Sequence, residues 1–196
     1  MLRTFCFTAM AMVVAIFGAA CGDGGDGGGL AKFHATITEG PLPAYCNDVQ
    51  TWPADWLSFE DQVLTLTNQR RALGASCDYE GTFGPAGPLT YNRSLRCSAR
   101  VQSKDLAVRA FFDHVNPDGL GPSDRIDLAE YQWSTCGENI AAGQLTPNEV
   151  VDGWMHSPGH CANIMNADYV DLGVGYYKLP NSQYVHYWTQ NFGTPF

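Results

Sequence analysis

The spacing of apolar positions changes several times along the chain, and each change marks an element. Residues Phe5–Ala20 run without a charge and end in small residues, which is too short for a comfortable membrane span. From a start near Ser58, with Glu60 and Asp61 in the first turn, Phe59, Val63, Leu66 and Leu73 recur at helical spacing, and Gly74 is the stop. Asn68, Arg70 and Arg71 share that helix and read as an exposed or interface polar face. Ala75–Leu89 is a loop carrying Gly84-Pro85-Ala86-Gly87-Pro88. Leu95, Ala99, Leu106 and Ala110 then predict a helix over Arg93–Ala110.

Past this helix, turn chemistry sets the boundaries. Asn116-Pro117 and Asp118-Gly119 force a turn just after His114. Ser123 caps a short predicted helix, Ser123–Glu130. Trp133–Ala142 reads as extended and contains Cys136-Gly137-Glu138-Asn139-Ile140. Thr146-Pro147-Asn148-Glu149 opens a helix over Pro147–His156 that buries Val150, Val151 and Trp154. Ser157-Pro158-Gly159 ends it and places His160 in a turn. Asp171–Leu179 and Tyr184–Phe192 read as two strands around Pro180-Asn181-Ser182. Consecutive strands without βαβ alternation predict an antiparallel sheet covered by helices, class α+β.

Composition refines this picture. The 196 residues are 45% hydrophobic, enough for one domain with a core. The formal net charge is −9, which provides no footprint for nucleic acid and opposes anionic lipid surfaces. Residues 1–20 are expected to be a signal peptide, with Arg3 as their only charge. Gly18-Ala19-Ala20-Cys21 resembles a lipobox, so Cys21 is the expected lipidation site and acyl chains there would anchor the chain to a membrane. Gly18 stands where that motif carries a bulky aliphatic residue, and ordinary cleavage after Ala20 is the competing reading. Residues 21–50 follow as a glycine-rich tether, and 51–196 as the domain.

An exported chain is expected to form disulfides. Once Cys6 and Cys21 are set aside, Cys46, Cys77, Cys97, Cys136 and Cys161 allow two bridges with one thiol left over. The expected first bridge is Cys77–Cys97, flanking one loop, with Cys161 joined to Cys136 or Cys46.

His114 and His160 are each followed by residues that fix their direction, and Glu138 sits in an otherwise apolar strand, where a carboxylate must find a partner. Two histidines near one carboxylate suit a divalent metal such as zinc, or a hydrogen-bonded cluster that only stabilises the fold. No HExxH or GxSxG motif is present. Cys161 beside His160 reads as a disulfide cysteine rather than a nucleophile, because adjacent side chains rarely face each other.

The motifs Phe112-Asp113-His114-x-Asn116-Pro117-Asp118-Gly119, Gly137-Glu138-Asn139-Ile140-Ala141, Ser157-Pro158-Gly159-His160-x-Ala162-Asn163-Ile164-Met165, Leu172-Gly173-Val174-Gly175-Tyr176 and Tyr187-Trp188-Thr189-Gln190-Asn191-Phe192-Gly193 come in this order. Together they resemble the bacterial branch of the CAP/SCP superfamily over about Leu57–Gly193. The resemblance implies a three-layer α-β-α sandwich around a central antiparallel sheet. It also implies a cleft with two histidines, here His114 and His160, and two acids. The first acid is Glu138; the second falls on Ser157, so the set is incomplete. Asn139 and Gln190 are expected cleft neighbours. Some members bind zinc through the two histidines, which makes Zn²⁺ the one cofactor to consider.

The family has no single activity, and fold does not fix function. Three readings stay open: a binding module for an envelope lipid, glycan or protein; a metal-dependent hydrolase with Glu138 as general base; and a disulfide-stapled structural protein.

Overall fold

A computed structural model describes residues 41–196. The first element, a 3-10 turn over Ala44–Val49, belongs to the domain and not to a tether: Cys46 and Val49 are buried there with Trp52, Cys97 and Ala129. Helix α1 spans Ala54–Leu73 and starts four residues ahead of the expected Ser58, immediately after Pro53. The earlier start moves Glu60 out of the first turn and into the interior. There Arg100 grips its carboxylate, with Nε at 2.9 Å from Oε1 and Nη2 at 2.6 Å from Oε2. Burial pushes the Glu60 carboxyl upward, against the pull of Arg100 and Arg96. Gly74 does end the helix, in the left-handed region at φ 73°.

Arg71 is not part of an exposed polar face. It is 1% exposed and donates to the carbonyls of Gly87, Ile164 and Asn166, each at 2.7 Å, and to Tyr169 at 3.2 Å. One guanidinium fork thus ties the Pro-Gly loop to the segment before the last hairpin. Burial lowers its pKa.

Two-residue strands β1 (Ala75–Ser76) and β2 (Thr82–Phe83) form a small antiparallel pair in that loop, and β3 is Thr90–Tyr91. Helix α2 (Arg93–Val108) begins at Asn92, whose Oδ1 accepts from the N–H groups of Ser94 and Leu95. Helix α3 is Pro122–Leu128, with Asp124 accepting from Gly121 N–H at 2.9 Å. Ser123 therefore lies inside α3 and does not cap it. Strand β4 (Thr135–Ala142), helix α4 (Pro147–Met155), helix α5 (Pro158–Met165) and strands β5 (Asp171–Lys178) and β6 (His186–Thr194) complete the order. Pro158 starts α5 at its first position, so His160 sits within a helix where a turn was expected.

The main sheet has the order β3-β5-β6-β4. Its three long strands are antiparallel, and β3 adds a short parallel edge to β5. Helices α2 and α3 cover one face; α1, α4 and α5 cover the other. Alternation along the strands assigns the faces. Leu172, Val174, Tyr176, Trp188 and Phe192 join Val63, Val150, Val151, Trp154 and Ile164 in the main core. Gly173 and Gly175 point the other way, at α2. A Cβ on Gly173 would strike Leu95 and Arg96, and one on Gly175 would strike the Ala99 backbone. These two glycines let helix and sheet approach closely. The expected sandwich of class α+β is observed.

Two disulfides close the domain, and neither is the expected Cys77–Cys97. They are Cys46–Cys97 and Cys77–Cys161. Cys97 lies on α2 and faces the 3-10 turn, whereas Cys77 lies beneath α5 on the opposite layer, so the sheet separates the two. Cys136 belongs to neither bridge.

Candidate functional site

Glu138 points from β4 toward the α2–α3 layer, because it lies opposite Asn191 in the β4–β6 ladder and Asn191 reaches Ser98 on α2. Its side chain is 1% exposed. Arg125, on α3 and fully buried, donates Nη2 to Oε1 at 3.0 Å and to Oε2 at 2.7 Å. His114 Nδ1 lies 2.8 Å from Oε1. The Asn191 amide, oriented to satisfy its neighbours, donates to Oε2 at 3.0 Å and accepts from Ser98 Oγ at 2.8 Å. An ionised carboxylate has about four acceptor positions, and all of them are taken here. Arg125 also donates to the His114 carbonyl at 2.9 Å and the Leu120 carbonyl at 2.7 Å, which fixes the loop carrying the histidine. The His114 side chain remains 46% exposed.

Arg125 is the residue that sequence reading missed. The signal was present: an apolar strand with one carboxylate demands a cation, and Arg125 precedes the apolar Ile126 in a short helix.

His160 comes from the other layer. Its Nδ1 lies 2.8 Å from Ser157 Oγ, so the residue standing in the second acid's place holds this ring by a neutral hydrogen bond. Burial first, and the charge of His114 second, lower the His160 pKa. The two rings therefore lie within Coulombic reach of each other.

Asn139 and Gln190 do not line the cleft surface. Both are fully buried. Asn139 Nδ2 donates to the His160 carbonyl at 3.2 Å and to Gln190 Oε1 at 3.1 Å, and Asn163 donates to Asn139 Oδ1 at 2.9 Å. Gln190 Nε2 reaches Thr67 Oγ1 on α1 at 2.8 Å. These amides hold α5, and with it His160, against the sheet.

An imidazole that donates Nδ1–H to Glu138, or to Ser157, keeps Nε2 unprotonated, which is the form a metal ligand takes. A divalent metal such as zinc thus fits two nitrogen ligands from this chain. Among the described residues no group of three or more His, Cys, Asp or Glu side chains is arranged to hold a metal, so any further ligand would come from solvent or the bound molecule.

A three-layer sandwich that carries two histidines, one on each side of the sheet, is the arrangement expected of a CAP/SCP-type domain. Residues 64–192 match the Cysteine-rich secretory protein family, and the chain belongs to that family. It is 35% identical over 159 residues to the uncharacterized protein YkwD of Bacillus subtilis (strain 168), covering 80% of this chain and 56% of that one. It is 28% identical over 143 residues to the uncharacterized membrane protein YlbC of the same organism, covering 73% and 36%. Among solved structures, an extracellular protein containing an SCP domain from Bacillus anthracis matches with a TM-score of 0.59 at 25% identity, covering 73% of this chain and 44% of that one. The chain thus spans about half the length, or less, of these three proteins.

The expected signal peptide, Cys21 lipidation site and most of the tether lie outside the described residues. Among the described residues, no helix is long and apolar enough to cross a membrane.

Proposed function

We propose that this chain is an exported binding protein of the bacterial cell envelope. Its ligand, a lipid, glycan or protein, is engaged by the outward edges of His114 and His160, with or without a divalent metal between them. One observation carries this reading: every acceptor position of Glu138 is taken by Arg125, His114 and Asn191. A general base needs a lone pair free for the proton it removes. Glu138 therefore acts as the anchor that aims His114, and this supports binding over a hydrolase that uses Glu138 as base. Export is supported by the N-terminal apolar run ending before Cys21, and by the likeness to a protein described as extracellular. Membrane attachment would come from acylation of Cys21.

Zinc titration of the full chain by calorimetry, beside His114→Ala and His160→Ala, tests the site. About one equivalent bound, and lost in both variants, supports a metal-assisted cleft. Ester, peptide or glycan hydrolysis that disappears in Glu138→Gln while zinc binding survives would replace this reading with the hydrolase.

A further inference from the structure

Among the described residues, five buried side-chain polar atoms have no hydrogen-bond partner, and three of them are Tyr45 Oη, Gln102 Oε1 and Arg125 Nε. Two of these side chains reach consecutive carbonyls of the His114 loop. Gln102 Nε2 donates to the Asp113 carbonyl at 2.9 Å, and Arg125 Nη1 donates to the next carbonyl, that of His114, also at 2.9 Å. Tyr45 packs on the cluster that contains Cys97 of α2 and Ala129 at the end of α3. Burial pushes its hydroxyl up to about 12, and the charges of Arg125, Asp105 and Glu138 all reach it. Gln102 and Arg125 are both fully buried.

The three atoms are one acceptor, one N–H donor and one hydroxyl that does either. A buried anion would face the Gln102 oxygen and the Glu138 carboxylate, and a cation would face Arg125. The species that donates to one atom, accepts from another and carries no charge is water. We propose that an internal water site lies between Tyr45 Oη, Gln102 Oε1 and Arg125 Nε, and that through it Tyr45 is a positioning residue for the His114 loop.

Tyr45 stands ahead of residues 64–192, the span that matches the family. A segment outside that span thus supports the site from below, and the Cys46–Cys97 bridge fastens this segment to α2. The inference holds whether or not the cleft takes a metal.

The test is a high-resolution crystal structure of the full chain, paired with hydrogen exchange on the chain and its Tyr45→Phe variant. The variant keeps the ring packing and removes only the hydroxyl. The expected result is a water within about 2.7–3.2 Å of the three atoms. In Tyr45→Phe, amide exchange should be roughly tenfold faster over residues 115–120 and unchanged in α4 and β5. Direct protein partners on these atoms, with no water between them, would overturn the proposal. Unchanged exchange over residues 115–120, or a uniform loss of protection across all elements, would overturn it as well.

Discussion

Arg125 holds Glu138 at two points, with 3.0 and 2.7 Å between Nη2 and the two carboxylate oxygens, and both side chains are closed to solvent. Such a pair is costly to form but more costly to halve, because removing one partner leaves a buried charge alone. Arg125→Met should therefore destabilise the domain by about 3–5 kcal/mol in urea denaturation. Arg125→Met combined with Glu138→Gln should recover part of the loss, since the stranded charge is gone. A single Arg125→Met variant within about 1 kcal/mol of wild type would contradict the assignment of this pair as the base of the site.

Gly173 and Gly175 make a second, independent claim. A Cβ at either would collide with the α2 backbone, which cannot swing aside as a flexible side chain can. Gly175→Ala should cost about 1–3 kcal/mol or more by overpacking. Gly159→Ala is the control, because a Cβ there meets nothing within 4 Å. That change should be neutral or stabilising by up to about 1 kcal/mol. Equal urea midpoints for the two variants would mean that helix and sheet are not so closely seated.

These cases show what sequence reading could and could not reach. The helices and strands were legible because apolar spacing and turn residues are local signals. Glu138 was legible as a carboxylate in need of a partner, but the partner is on another helix, and chain spacing carries no such information. Arg71 failed for the same reason: a guanidinium on a helix reads as solvated until four carbonyls from distant segments are seen around it. Asn139 and Gln190 could have been placed better. Neighbours in a strand face opposite sides, so Glu138 and Asn139 could not line one wall together. The 3-10 turn at Ala44–Val49 was hidden by the glycine-rich run before it, and its anchor, Cys46, pairs across 51 residues.

The disulfides give a prediction of connectivity. Peptide mapping without reduction should return Cys46–Cys97 and Cys77–Cys161 as the two linked pairs. A Cys77–Cys97 peptide would contradict the arrangement on opposite layers. Replacing either pair by alanines should cost about 2–5 kcal/mol. The bridges span 51 and 84 residues, and loop entropy favours the longer by only about 0.4 kcal/mol, so the two losses should be similar.

The last prediction concerns acid. Burial, with the charge of His114, lowers the His160 pKa in the folded state below its ordinary value of 6.5. The unfolded chain then binds a proton at a pH where the folded one does not, and stability rises with pH across that window. His160 therefore contributes full stability above about pH 6.5, and loses it as pH falls from there toward its folded pKa. His186 acts in the same direction, since burial and Lys178 lower its pKa against a smaller opposing effect of Glu149. Melting temperature should fall between pH 7 and 5, and the fall should be shallower in His160→Gln. Titration of the His160 ring by NMR should place its midpoint below 6.5. A midpoint above that value would mean that the ring is held as a cation, and the reading of His160 as a neutral ligand-facing imidazole would have to be given up.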